Sequence, residues 1–216
     1  MIESIFAGLL TGAIYALLAL AYSIVFTTTR VINFALGETI MVAAMVTYSA
    51  NESWGLPIIT AVIVGCAAAV LLNLVIRAAA LSRLQELDPI TALLVTLSLG
   101  LLIVTVAQGI WGTSTAVFPN VFGNIKLFNV GDLAVTSQDM ALLIIVALVL
   151  VGVDLIQRKT ILGKSMQAAA EDTDACGVVG LNVGKINAIA FSLAAVLCTI
   201  AAVLLAPIAG ANVQLG

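Results

Sequence analysis

"INAIAFSLAAVLCTIAAVLLAPI", residues 186–208, runs for 23 residues without a charge. As a helix rising about 1.5 Å per residue it would be about 35 Å long, enough to cross a hydrocarbon core about 30 Å thick. In lipid, every backbone N–H and C=O must be bonded within its own segment or within a closed barrel. A barrel strand alternates apolar and polar residues, whereas this run is apolar throughout, which selects a helix. Five more apolar runs, two of them holding one acidic residue each (Glu38 and Asp154), cover residues 5–26, 31–50, 57–76, 90–110 and 140–155. The expected fold is an all-α polytopic transmembrane helical bundle of about six spans, forming a single transmembrane domain over residues 1–216.

Composition agrees. Hydrophobic residues make up 62% and charged residues 9%, where a soluble domain is about one quarter charged. The mean hydropathy is +1.23, and such an excess is hidden in a lipid bilayer. A net charge of -3 offers no basic surface for nucleic acid. Cys66, Cys176 and Cys198 are widely separated and form no disulfide or metal framework, so they read as small buried or half-buried residues. Met1-Ile2-Glu3 lacks the positive flank of a signal peptide, so the first run is expected to stay in the membrane.

Charge orients the bundle. The first, third and fifth connections hold Arg30, Arg77, Arg83, Arg158, Lys159, Lys164 and Lys185; the opposite side holds only Lys126. Positive residues stay in the cytoplasm, so the N-terminus is expected outside and the connection 157–185 inside. The extracytoplasmic loop 111–139 contains "NIKLFNVGDLAVT", which fits a short hairpin turning near Gly131 or an irregular loop, with turns favoured before it by Pro119 and Gly123.

The inner connection contains a polar island, "AAAEDTDACGVVGLNVGK", residues 168–185. Asp172 suits a helix N-cap, and Asp174 in the first turn suits the helix dipole. Gly180 suits a left-handed helix end covered by Leu181, and Asn182 can cap the next helix. The expected product is a short helix, 173–179, exposing Ala175, Cys176, Val178 and Val179 among acidic residues. It fits either a docking surface for another protein or a solvated connector. "LGKS" and "VGK" are not phosphate loops, because the motif's first glycine would fall on Arg158 or Val179.

"RVINFALGET", residues 30–39, places a carboxylate within the second run. If the helix is continuous, Glu38 lies about 12 Å beyond Arg30, near the midplane. A charge there should face a cavity or a partner. Asn33 and Gly37, four apart, would share a helix face. These three residues read either as a polar lining of a translocation path or as interhelical hydrogen-bonding groups. Elsewhere, Gly8 and Gly12 in the first run, and the alanines of the last, suit close helix packing. Tyr15, Tyr22 and Trp111 suit packing or interfacial positions, and Gln108 is a weaker polar candidate.

"GLLTGAIYALLALAYSIVFTTTRVINFALGE" and "LGKSMQAAAEDTDACGVVGLNVGKINAIAFSLAAVLCTIAAVLLAP" resemble two blocks of the membrane subunits of branched-chain amino acid ABC importers, in matching order and spacing. The resemblance implies a permease subunit, not an enzyme, in the bacterial inner membrane. Its solute would be a branched-chain amino acid or a related small compound such as urea or a short amide. The implied partners are ABC ATP-binding subunits, a second permease subunit (identical or different) and a periplasmic substrate-binding protein. The chain would have no cofactor of its own, ATP being bound by the partners. Residues 157–185 would be the coupling loop, its alanine and acidic block falling on Ala170, Glu171, Asp172 and Ala175 and its closing glycine on Gly180. Leu36 stands where the family commonly has histidine, and Gln167 near where it often has arginine. The chain ends at Gly216 where relatives continue, so a C-terminal truncation is expected. The alternative is an ion-coupled secondary transporter or channel using Glu38. A membrane enzyme is disfavoured by the lack of paired carboxylates or a nucleophile–base set.

Overall fold

The last apolar run forms the central post of the bundle. The structure, a computed structural model, describes residues 2–78, 89–113, 118, 123, 125–130 and 133–211. In chain order the described elements are α1 (Ile2–Thr29), α2 (Leu36–Glu52), α3 (Ile58–Ile76), α4 (Pro89–Trp111), β1 (Lys126–Val130), β2 (Leu133–Thr136), α5 (Ser137–Lys159), α6 (Ile161–Glu171), α7 (Thr173–Val178) and α8 (Val183–Ala209). Helices α1, α3, α4, α5 and α8 are each long and apolar enough to cross a membrane. The chain is a multi-pass helical membrane protein.

Helix α8 packs against α1, α2, α3 and α6. Ala190, Ala194, Ala195, Ala201, Ala202 and Ala206 are fully buried on it, and their small side chains let the surrounding backbones come close. Helices α2 and α3 also meet tightly. A Cβ on Gly65 would run into the Thr47 hydroxyl and stand 2.9 Å from the Ala43 carbonyl. By contrast, Gly8 and Gly12 are exposed with nothing within 4 Å of their Cβ positions, so against expectation they do not pack against other described residues.

The second run departs most from expectation. Residues 31–35 are not helical, and α2 begins only at Leu36. Two local features break the helix. Arg30 takes a left-handed conformation, φ +56°, which costs a non-glycine residue about 1–2 kcal/mol. Asn33 then forms a turn on itself: its Oδ1 accepts from the Ala35 N–H at 3.2 Å and its carbonyl from the Leu36 N–H at 3.2 Å. Such Asn side-chain bonds compete with a helical ladder, a signal that hydropathy does not contain. Asn33 and Gly37 therefore do not share a helix face, and helical rise from Arg30 does not set the depth of Glu38.

Broken backbone at membrane depth is tolerated only where other groups satisfy it, and side chains meet part of that need here. Thr29 Oγ1 accepts from the Val31 N–H at 3.3 Å while donating to the Val25 carbonyl at 2.8 Å, and Thr96 Oγ1 of α4 shares its proton between its own Leu93 carbonyl at 3.0 Å and the Ile32 carbonyl at 3.3 Å. One turn into α2, Asn73 Nδ2 of α3 donates to Thr39 Oγ1 at 3.1 Å.

The connection 111–139 forms the hairpin. Strands β1 and β2 pair antiparallel, with an irregularity between Lys126 and Phe128; the turn near Gly131, Pro119, and Asp132 lie outside the described residues, as does Arg83. A capping box at Thr136 and Asp139 then starts α5. The connection 157–185 contains one helix more than expected, α6. Thr160 caps it by accepting from the Gly163 N–H at 3.1 Å. A Cβ on Gly163 would overlap the Gln157 backbone, so this glycine serves the tight α5–α6 corner.

Candidate functional site

The residues expected to couple and those expected to line a path fall into two separate groups among the described residues. The first group builds a short capped helix. Asp172 Oδ1 accepts from the Ala175 N–H at 2.9 Å, the N-cap bond expected of it. Helix α7 then runs from Thr173 to Val178, one residue shorter than expected. It closes with the Gly180 N–H donating to the Gly177 carbonyl at 3.2 Å and the Leu181 N–H to the Cys176 carbonyl at 2.9 Å. Gly180 has φ +81°, a conformation that glycine adopts without steric cost. Asn182 caps α8 by accepting from the Lys185 N–H at 3.0 Å.

The face that α7 presents differs in one respect from the sequence expectation. Cys176 is 4% exposed and packs into the main apolar core, so it is an anchor and not part of the outer surface. Ala175 and Gly177 are exposed, and Val179 is 79% exposed. Glu171 and Asp172 flank them, both exposed. The side chains of Asp174 and Val178 lie outside the described residues. The result is a small apolar patch with an acidic rim.

Two arginines, visible in the sequence only as orienting charges, hold this unit to the bundle. Arg30, at the end of α1, donates from Nε and Nη2 to the Ala170 carbonyl at 3.2 and 2.6 Å. Arg77, just past α3, donates from Nη2 to the Gly184 carbonyl at 2.6 Å. Ala170 is among the last residues of α6, where carbonyls lack intrahelical partners and a cation is favoured. Nothing in local sequence pattern pairs residues 140 or 107 positions apart. Together these bonds gather the ends of α1 and α3, the end of α6 and the start of α8. Arg158 and Lys159 end α5, which leads directly into α6, and Lys164 lies on α6. The expected charge asymmetry is thus a structural grouping among the described residues.

The second group lies deeper. Helices α2 and α4 run parallel, matched at three levels: Thr96 to Ile32, Gly100 to Glu38, and Trp111 Nε1 donating to Ser49 Oγ at 2.7 Å. Gly100 is the middle residue of α4, so Glu38 sits at mid-span by its neighbour and not by helical rise. A Cβ on Gly100 would lie 3.6 Å from Glu38 Cγ and 3.8 Å from its Oε1. Glu38 Oε2 is enclosed without a hydrogen-bond partner among the described residues, as are Asn33 Nδ2 and, on α8, Asn187 Oδ1. Asn33 itself is 1% exposed. Gly37 is half-buried, and Tyr22 lies close to both Gly37 and Glu38.

Buried polar atoms normally find partners, and unpaired ones cost about 1–3 kcal/mol each. The enclosed Glu38 oxygen keeps acceptor capacity that can serve water or a polar solute. Leu36, at the position where histidine is common in the resembled permeases, is fully buried. Gln167 donates to the Gln157 carbonyl at 3.4 Å and belongs to the α5–α6 corner. Gln108 is exposed on α4.

A family model described as "Branched-chain amino acid transport system / permease component" matches residues 4–214. Among known proteins, the chain is similar to the high-affinity branched-chain amino acid transport system permease protein LivH of Salmonella typhimurium, at 23% identity over 94% of this chain and 70% of the relative. It is similar to LivH of Escherichia coli at 23% identity, and to the corresponding protein BraD of Pseudomonas aeruginosa at 22%, with the same coverage. No solved structure matches the chain.

Proposed function

The chain belongs to the family of branched-chain amino acid transport system permease components, and we propose that it is the membrane subunit of an ATP-driven importer in the bacterial inner membrane. ATP-binding subunits dock on α7 from the cytoplasm. A second permease subunit completes the pathway, and a periplasmic binding protein delivers solute to the outer face. The solute is a branched-chain amino acid or a related small compound such as urea or a short amide. Asn33, Gly37 and Glu38 line its path.

The observation that carries this reading is the construction of α7: a six-residue helix, capped by Asp172 and stopped by Gly180, that presents a small apolar patch at the basic end of the bundle. Such a unit fits a groove on another protein. It has no chemistry of its own and works as a lever. When the ATP-binding subunits close, they push α7, and the bundle shifts between inward- and outward-open populations. The shift can be no larger than the difference in their contact with the two states.

Uptake by proteoliposomes containing the assembled importer tests this. Leucine accumulation that requires internal ATP and survives dissipation of the proton gradient supports it. Accumulation that persists without ATP and collapses with the proton gradient overturns it in favour of ion coupling at Glu38.

A further inference from the structure

We propose that Arg30 is a positioning residue that ties the coupling unit α6–α7 directly to the broken entry of α2, and so to Glu38; this rests on the proposed importer function. Three observations meet at this residue. Its N–H bonds the Phe26 carbonyl at 2.8 Å, closing α1. Its left-handed backbone, φ +56°, turns the chain sharply into residues 31–35. Its guanidinium grips the Ala170 carbonyl with two N–H groups, at 3.2 and 2.6 Å.

Ala170 lies two residues before Asp172, the cap of α7. A push on α7 therefore displaces the Ala170 carbonyl, and the planar guanidinium moves with it in position and orientation. Residues 31–35, immediately after Arg30, are held by side chains and not by a helical ladder. Thr29 and Asn33 accept from the Val31 and Ala35 N–H groups, and Thr96 reaches the Ile32 carbonyl at 3.3 Å. Such a stretch can rearrange by exchanging a few hydrogen bonds, whereas a helix moves as a rod. It ends at Leu36, two residues from Glu38. Arg77 makes a similar single bond to Gly184, but it joins the ends of two continuous helices, α3 and α8, and acts as a fixed brace.

The test uses the full transporter, reconstituted with its ATP-binding subunits, and measures hydrogen exchange at residues 31–38 and 173–178 before and after trapping with ATP and vanadate. Arg30→Asn removes the guanidinium, while asparagine accepts a left-handed backbone. The trapping-induced change at 31–38 should be lost in Arg30→Asn and retained at 173–178, with solute moved per ATP falling by at least ~10-fold. Arg30→Lys, which keeps the charge without the fork, should recover part of both, and Arg77→Ala should leave the change at 31–38 in place. If Arg30→Asn does not assemble, Arg30→Lys carries the comparison, with a reduced change at 31–38 expected. An undiminished change at 31–38 in the Arg30 variants overturns the proposal. No change at 173–178 in the unaltered protein overturns the coupling role of α7 itself, and the proposal with it.

Discussion

Glu38 of α2 rests against Gly100, the middle residue of α4, with room between them for a methyl group and little more: a Cβ there would stand 3.6 Å from Glu38 Cγ. Gly100→Ala should therefore be tolerated, because 3.6 Å is ordinary contact. Gly100→Leu should displace the carboxylate or fill the space beside it, at an overpacking cost of about 1–3 kcal/mol. The expected outcome is uptake close to the unaltered level for alanine, and a loss on the order of ten-fold for leucine at equal membrane abundance. Equal uptake by both variants would remove Glu38 from the path.

Much of this architecture can be read from residue order because the bilayer enforces it. Runs such as 186–208 have one viable structure in lipid, and caps such as Asp172 and Asn182 act within three residues of themselves. The break at 31–35 is not legible by the same means. Val31, Ile32 and Phe34 are as hydrophobic as any helix residue, and the helix is lost to the left-handed backbone of Arg30 and the hydrogen bonds of Asn33. The hidden side of Cys176 and the reach of Arg30 to Ala170 depend likewise on how distant segments pack. Glu38 does lie at mid-span, but for a different reason than helical rise: irregular chain between Arg30 and Leu36 stands in place of the expected helix.

Gly65 tests the tight seam between α2 and α3. Gly65→Ala sets a methyl against the Thr47 hydroxyl and the Ala43 carbonyl, and a backbone oxygen cannot step aside. Destabilisation of about 1–3 kcal/mol is expected, read as a lower unfolding temperature in detergent. Adding Thr47→Ala should recover part of the loss, since it removes the nearest obstructing atom. Full stability of Gly65→Ala alone would mean that the two helices are not in close contact at this level.

Gly163 distinguishes a packing glycine from a phosphate-loop glycine. Gly163→Ala should lower the amount of protein in the membrane, because the added methyl meets the Gln157 backbone at the α5–α6 corner. Lys164→Ala, on the exposed side of α6, should leave abundance unchanged. Western blotting of membrane fractions checks both. A severe loss with Lys164→Ala and none with Gly163→Ala would contradict the corner geometry.

Helix α7, the proposed lever between ATP-binding partners and the spans, can be weakened from either end. Asp172→Ala removes a cap bond and should weaken α7 by about 1 kcal/mol; Gly180→Ala forces a side chain into φ +81°. The deciding quantity is the ratio of leucine imported to ATP hydrolysed by the reconstituted importer. Both variants should reach the membrane and still hydrolyse ATP, but import less leucine per ATP. An unchanged ratio in both would contradict a lever role for α7.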